Sequence, residues 1–218
     1  MAKPQAAASQ RPAPRLYLVT PLIEDAAGFA GTLTEAMAAA DVAAVLLRLK
    51  PAGERDLINR AKILAPTVQG KDVALLLDGM TEIAARAGAD GAHLTGLEAF
   101  TVAVDTLKPA RIAGCGGLKT RDDAMTAGER GADYVMFGEP KPDGYRPSFD
   151  AIIERVEWWA EVFQIPCVGY AATAQEAAAL VAAGADFVAV GGGLWDDPRG
   201  AAVALVEIAS LLVPERVP

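Results

Sequence analysis

From residue 16 onward the chain alternates short, almost wholly apolar runs with longer stretches in which apolar and polar positions mix. The apolar runs are LYLVT (16–20), VAAVLLRL (42–49), VALLLD (73–78), GAHLT (91–95), RIAGCG (111–116), YVMFGE (134–139), PCVGYA (166–171) and FVAVGG (187–192). A strand with one wet face would alternate apolar and polar residues. These mostly do not, so they predict parallel strands covered by helices. The intervening stretches are rich in Ala, Leu and Glu, as in DAAGFAGTLTEAMAAA and RDDAMTAGERG. TAQEAAALVAAG opens on Thr173, has Glu176 three residues later and closes on Gly184, which predicts a capping box at one end and a glycine cap at the other. SFDAIIERVEWWAEVF opens on Ser148; its adjacent Trp158 and Trp159 must point to different sides of a helix, so at least one packs in the core.

Eight strands and eight helices in strict alternation within about 200 residues predict a single (β/α)8 barrel, placed at residues 15–214. An open doubly wound sheet of the dinucleotide-binding kind would carry G-x-G-x-x-G after its first strand, and LYLVTPLIEDAAG has no such motif. Residues 1–14, MAKPQAAASQRPAP, lack the apolar segment of a secretory signal and are expected to form a disordered tail.

One phrase recurs. GADGAHLTG begins at Gly88, GADYVMFGE at Gly131 and GADFVAVGGG at Gly184, with a weaker copy, AADVAAVLL, at Ala39. The copies precede strands two, four, six and eight, so the repeat is a two-strand, two-helix unit of roughly fifty residues. Glycine ends a helix, and aspartate sits at the entry of the next strand. That is the N-terminal end of a barrel, where stability is built, so Asp90, Asp133 and Asp186 are expected to be structural, not metal ligands.

Composition narrows the function classes. A net charge of −8 argues against a nucleic-acid backbone as partner. No stretch approaches the length of a membrane span. Cys115 and Cys167 lie in apolar runs with no metal-binding spacing and read as buried, reduced thiols of a cytoplasmic protein. The expected partners are small phosphorylated molecules, with a homodimer left open.

Chemistry in such barrels sits at the C-terminal ends of the strands. Arg48 and Lys50 follow strand two, two residues apart and so on one face, where cations suit an anionic ligand. Strand three ends in Asp78; Glu98 follows strand four, and the two carboxylates could share one Mg²⁺. His93, the single histidine, reads as a packed core residue more than a catalyst. GCGGLK after strand five, with Gly116, leaves room for a ligand near the backbone. Lys141 and Arg146 lie in GEPKPDGYRP, a candidate lid or anion clamp after strand six. Gly191, Gly192 and Gly193 after strand eight let backbone N–H groups approach a phosphate. Asp196 and Asp197 read as helix caps.

Taken together, these motifs resemble the thiamine phosphate synthase family, including its thiazole tautomerase-like relatives. LYLVT resembles the first strand, LLRLK the Q-x-R-x-K strand, and ARAGADGAHLTGLE the pattern A-x-x-x-GADG-x-H-x-G-x-x-D. GADYVMFGE, IPCVGYAAT and AGADFVAVGGGL resemble three further family motifs in order. The resemblance implies a transferase that joins a thiazole phosphate to a pyrimidine methyl diphosphate, using Mg²⁺ and releasing pyrophosphate. It places Arg48 and Lys50 on the diphosphate, Glu98 at a Mg²⁺-ligand position, Asp78 where the family has an Asn, and the glycines at 191–193 on the thiazole phosphate. The chain also departs from the pattern. Gly79 stands where a second Mg²⁺-binding Asp belongs, and Gly116 where a Ser meets substrate. Tyr170-Ala171 replaces a Gly-Gly pair, and these side chains would crowd the phosphate, with Tyr170 against it. The T-x-T-K loop is absent, and Leu118 or Lys119 stands where the tautomerase-like relatives have a His. Two alternatives follow: a catalytically impaired barrel that binds a phosphate ligand, and a related phosphate-handling enzyme with a changed substrate.

Overall fold

In a computed structural model of the protein, which describes residues 12–141 and 143–212, eight parallel strands close on themselves in sequence order. The order is β1 (Arg15–Ile23), α1 (Ala26–Ala39), β2 (Val42–Leu49), α2 (Glu54–Gln69), β3 (Ala74–Asp78), α3 (Thr81–Ala87), β4 (Gly91–Thr95) and α4 (Leu97–Leu107). It continues with β5 (Ile112–Gly116), α5 (Arg121–Glu129), β6 (Tyr134–Phe137), α6 (Phe149–Val162), β7 (Cys167–Ala171), α7 (Ala174–Ala182), β8 (Phe187–Val190), a 3₁₀ turn (Gly192–Leu194) and α8 (Ala201–Ser210). This is the single (β/α)8 barrel expected from the apolar pattern. The expected tail falls largely on residues 1–11, which lie outside the described residues, as do residues 213 and 214 at the other predicted boundary.

The continuous apolar runs are explained by two cores. Outward residues such as Leu16, Leu18, Val45, Leu47, Leu75 and Leu77 pack under the helices. Their inward neighbours, including Tyr17, Val19, Leu46, Leu76, Met136 and Val168, fill the barrel. With both faces buried, each side chain contributes on the order of 1.5–3 kcal/mol of transfer free energy, and a polar face would forfeit it. Trp159 is buried, with its indole N–H on the Ile165 carbonyl at 2.7 Å, whereas Trp158 is only partly buried.

The repeated phrase does at the bottom of the barrel what its position suggested. Gly88, Gly131 and Gly184 have φ of 77°, 95° and 91°, a left-handed turn-off that an L side chain resists. The aspartate that follows closes a bond onto the preceding strand. Asp90 Oδ2 accepts Leu75 N–H at 2.7 Å, Asp133 Oδ2 accepts Ala113 N–H at 2.8 Å, and Asp186 Oδ2 accepts Cys167 N–H at 2.8 Å. Each ties the start of β3, β5 or β7 to the entry of the strand after it. In the weaker copy Ala40 is extended, and Asp41 instead holds the Arg15 side chain at 2.8 Å.

Two strands stop earlier than the apolar runs. β6 ends at Phe137 because Gly138, with φ 92°, leaves the ladder; β8 ends at Val190 because Gly191 leads into the 3₁₀ turn. Thr173 accepts Glu176 N–H as expected, but the Glu176 carboxylate bonds Ala172 N–H, one residue before the cap. The expected capping by Asp196 or Asp197 is not what the fold uses. α8 starts after Gly200, and Asp197 instead bonds Arg199 within the preceding turn.

Candidate active site

The C-terminal mouth is shaped first by an irregularity in β1. Val19 pairs with Leu46 but Leu22 pairs with Arg48, so one extra residue of β1 bulges out around Thr20 and Pro21. Pro21 has no N–H to lose from the ladder and suits such a bulge. The buried Thr20 hydroxyl accepts Arg48 N–H at 2.9 Å, in the role that a strand carbonyl plays where the ladder is regular. Arg48 is thereby held near the end of β2. Its Nε donates to Asp78 Oδ2 at 3.3 Å, while its two Nη groups have no partner among the described residues. A guanidinium one-third exposed, with most of its donors unused, is suited to an incoming anion. Lys50 lies one residue past the end of β2 and turns outward to Glu24, at 2.6 Å, so the two cations of the strand-two motif have separate partners.

Asp78 ends β3, paired in register with His93 on β4. Its Oδ1 takes no hydrogen bond from the described residues, and Glu98 is exposed in the first turn of α4. Among the described residues no three His, Cys, Asp or Glu side chains are grouped to hold a metal alone. One or two carboxylates do fit a Mg²⁺ that arrives with a diphosphate and takes its remaining oxygens from phosphate and water.

Tyr170 points inward from β7 and is 6% exposed. Its hydroxyl lies beside the glycine turn, 3.2 Å from where a Cβ on Gly191 would stand and 3.7 Å from one on Gly192. Burial raises its pKa, and Arg146 and Arg48 pull the other way without reversing it, so Tyr170 stays a neutral phenol with a proton to donate. Gly191 itself cannot carry a side chain, since a Cβ would come within 2.8 Å of the Val19 carbonyl. That carbonyl also accepts Trp195 Nε1–H at 2.7 Å, which pins the turn to β1. The first N–H groups of such a turn have no acceptor inside it.

Arg146 is spent inside the protein. It donates to the carbonyls of Gly138 at 2.9 Å and Tyr170 at 2.7 Å and pairs with Glu176 at 2.8 Å, tying the loop after β6 to β7. Burial of Glu176 disfavours its charge, but bonds from Arg146 and Ala172 N–H outweigh that and hold its carboxyl below the usual range. Lys141 extends over the Tyr145 ring at 4.8 Å, on the exposed part of the same loop.

The glycines of strand five make room for side chains of the chain itself. A Cβ on Gly114 would fall within 2.0 Å of the Tyr134 ring, and one on Gly116 within 1.9 Å of Glu139 Oε1 and 2.7 Å of His93 Nε2. Tyr134 uses that space to reach His93 Nδ1 at 3.0 Å and Tyr17 at 2.8 Å. Burial holds both tyrosine pKa values far up, so both are neutral. The other face of His93, Nε2, is 3.8 Å from Glu139 Oε1 and has no hydrogen-bond partner among the described residues. Glu139 in turn accepts a short bond from Gly117 N–H. Glu139 and Glu176 thus belong to the mouth, although reasoning from sequence does not single them out for it. A charged residue just past the apolar run YVMF is the available signal for Glu139, whereas Glu176 is already accounted for as a capping residue.

Comparison with known proteins agrees with this architecture. The thiamine monophosphate synthase family model matches residues 16–194. The chain is 42% identical to the thiamine-phosphate synthase of Rhodospirillum centenum, covering 88% of this chain and 95% of that one. It is 38% identical to that of Hyphomonas neptunium, covering 91% and 93%. Among solved structures, thiamine phosphate pyrophosphorylase from Pyrococcus furiosus superimposes with a TM-score of 0.75 at 22% identity, over 93% of this chain and 96% of that one. A 3-hexulose-6-phosphate synthase shares the fold with a TM-score of 0.70 at 16% identity, over 91% and 100%. By its matched length and its relatives, the chain belongs to the thiamine monophosphate synthase family.

Proposed function

We propose that the protein is a cytoplasmic transferase that joins a thiazole phosphate to a pyrimidine methyl diphosphate. The observation that carries this reading is the match, through nearly the whole barrel, to relatives named thiamine-phosphate synthase. In the reaction the C–O bond between the pyrimidine methylene and the diphosphate breaks, pyrophosphate leaves with the electron pair, and the thiazole nitrogen forms the new C–N bond. No proton transfer is obligatory, so the protein's work is to place two substrates and neutralise charge. Arg48, with its unused donors, meets the diphosphate. Lys50 joins it by leaving Glu24, a solvent-exposed pair that breaks at little cost. Asp78 and Glu98 would hold Mg²⁺, whose charge would stabilise the leaving pyrophosphate. Gly191, Gly192 and Gly193 offer N–H groups to the thiazole phosphate, and Tyr170 donates its hydroxyl from below. Arg146 braces the β6–β7 side, and Lys141 supplies a positive charge at the rim.

The test is formation of thiamine phosphate and pyrophosphate from the two substrates with Mg²⁺, and rescue of a synthase-deficient strain. Tyr170-Ala171 in place of Gly-Gly favours an alternative reading, a barrel that binds phosphate ligands without turnover. In that case the phosphorylated thiazole raises the melting temperature while product is never formed. Absence of both product and thermal shift overturns the two readings together.

A further inference from the structure

We propose that the outer faces of α1 and α8 form the interface of a symmetric dimer, in which they meet the same two faces of a second copy of this chain.

The ring of helices is charged unevenly. α2 and α6 each carry five charged side chains, as the water-facing side of a barrel helix ordinarily does. α7, α8 and α1 are neighbours in the closed ring, and each carries one Glu and no Lys or Arg. Glu176 is held by Arg146 and Glu207 by Arg199, which leaves Glu35, among the described residues of these helices, without an ionic partner.

The barrel does not use up the apolar side chains of α8. Ala201, Ala204 and Leu205 are buried, whereas Val203 and Val206 are 45% and 51% exposed and, three residues apart, form one ridge on the opposite side of the helix. On α1 the corresponding outward positions include Gly28 and Gly31, both exposed. Gly28 is accounted for within the chain: a Cβ there would crowd Asp25, whose carboxylate accepts the Gly28 N–H at 2.9 Å. Gly31 is not. It lies inside a helix, where glycine costs stability relative to alanine, and a Cβ on it would meet nothing within 4 Å. A groove that no neighbour in the chain requires suits a close approach from outside.

The ridge and the groove match each other. α1 and α8 both start at the mouth end of the barrel; Gly28 and Gly31 are the third and sixth residues of α1, as Val203 and Val206 are of α8. A two-fold axis running lengthwise between the two helices lays α8 of one copy along α1 of the other, in the same direction, with valines opposite glycines. Symmetry repeats the pairing on the other side of the axis, so the contact is self-complementary and closes at two copies. The same alignment sets Glu35 opposite Ser210 and Glu207 opposite Thr32, and each hydroxyl can donate to the carboxylate it faces. Charge favours this occupant. Two copies that each carry a net −8 repel one another, and here they meet without setting carboxylate against carboxylate. A nucleic acid or an anionic lipid surface would call for the Lys and Arg that these helices lack. With α7 at the margin, three helices each about 10 Å wide and about 15–20 Å long present roughly 500 Å² in projection. That is on the scale of the ~800 Å² of accessible surface each partner buries in a stable dimer.

The test is sedimentation velocity of the full chain from low to high micromolar concentration. Wild type is expected at twice the mass of one chain. Gly31→Lys and Val206→Glu each replace an exposed helix residue, so the helical circular dichroism stays, but each should weaken association about 30-fold or more, the loss of an interface hot spot. The double variant, which sets the two new charges opposite each other in this alignment, should recover about tenfold. Gly31→Ala, which favours the helix itself, should still weaken the dimer. Val102→Lys on α4, an exposed apolar position away from this face, should leave the mass unchanged. A wild type that stays monomeric overturns the proposal and leaves the face to a different partner protein. A dimer that survives both single changes, or that Val102→Lys dissolves, overturns it in favour of another face. A double variant no better than the single ones overturns the pairing of α8 with α1.

Discussion

The two ends of the barrel use the same residue types in opposite ways. At the N-terminal end, Asp90, Asp133 and Asp186 each accept a strand N–H at 2.7–2.8 Å, and two of them also take a side-chain partner, Gln69 on Asp90 and Lys108 on Asp133. At the C-terminal end, among the described residues, Asp78 has one long bond to Arg48, and Glu139 has a single backbone donor and faces an imidazole nitrogen without a hydrogen-bond partner. Full satisfaction stabilises a fold. Partial satisfaction costs stability and is retained where a ligand supplies the missing bonds. Residue type therefore does not separate the two groups of carboxylates; the end of the barrel at which each lies does.

Substitutions at the two ends should accordingly separate activity from stability. The largest effect is expected at the mouth. Arg48→Ala should lower kcat/KM for thiamine phosphate formation by about 100- to 1000-fold, the usual cost of removing a preorganised charge donor, while the urea midpoint moves little. A variant with near-normal turnover would remove Arg48 from the site. At the other end, Asp186→Ala removes the carboxylate that accepts Cys167 N–H and should destabilise by about 2 kcal/mol, read as a lower urea midpoint, with kcat of the folded enzyme preserved. Loss of kcat at full folding would end the structural assignment of the repeated phrase.

A smaller and pH-dependent effect is expected at Arg146–Glu176. Because the folded-state pKa of Glu176 is depressed, its contribution is fully present above the ordinary carboxylate pKa and is lost as pH falls through the folded value. Glu176→Gln should cost about 1 kcal/mol at neutral pH, and the gap to wild type should close below about pH 4. A gap independent of pH would mean that the charge of Glu176 contributes nothing. The smallest effect concerns Cys115 on the outward face of β5. Burial, with Glu139 and Asp123 adding to it, pushes its thiol up to about 12. At neutral pH a maleimide should therefore label Cys115 only after denaturation; rapid labelling of the native protein would contradict the packing between β5 and its helices.

The sequence by itself determined the barrel, its eight strands to within two residues at nearly every end, and the structural role of the repeated GAD. Those features depend on local physics: continuous apolar runs for strands buried on both faces, and glycine for a left-handed turn. The sequence also placed Arg48, Asp78, Tyr170 and Gly191–193 at the C-terminal end, because strand direction alone sets which end a residue occupies. What it could not specify was the pairing of side chains across the mouth. That Lys50 turns to Glu24, that Arg146 is consumed by Glu176 and two carbonyls, and that Glu139 fills the space over Gly116 all depend on residues that lie on neighbouring elements, up to 30 positions away in the chain. Only the parallel pairing of neighbouring strands, with their helices between, brings those residues within reach of one another. A glycine such as Gly116 reads in sequence as empty space, and the tertiary structure decides which neighbour occupies it.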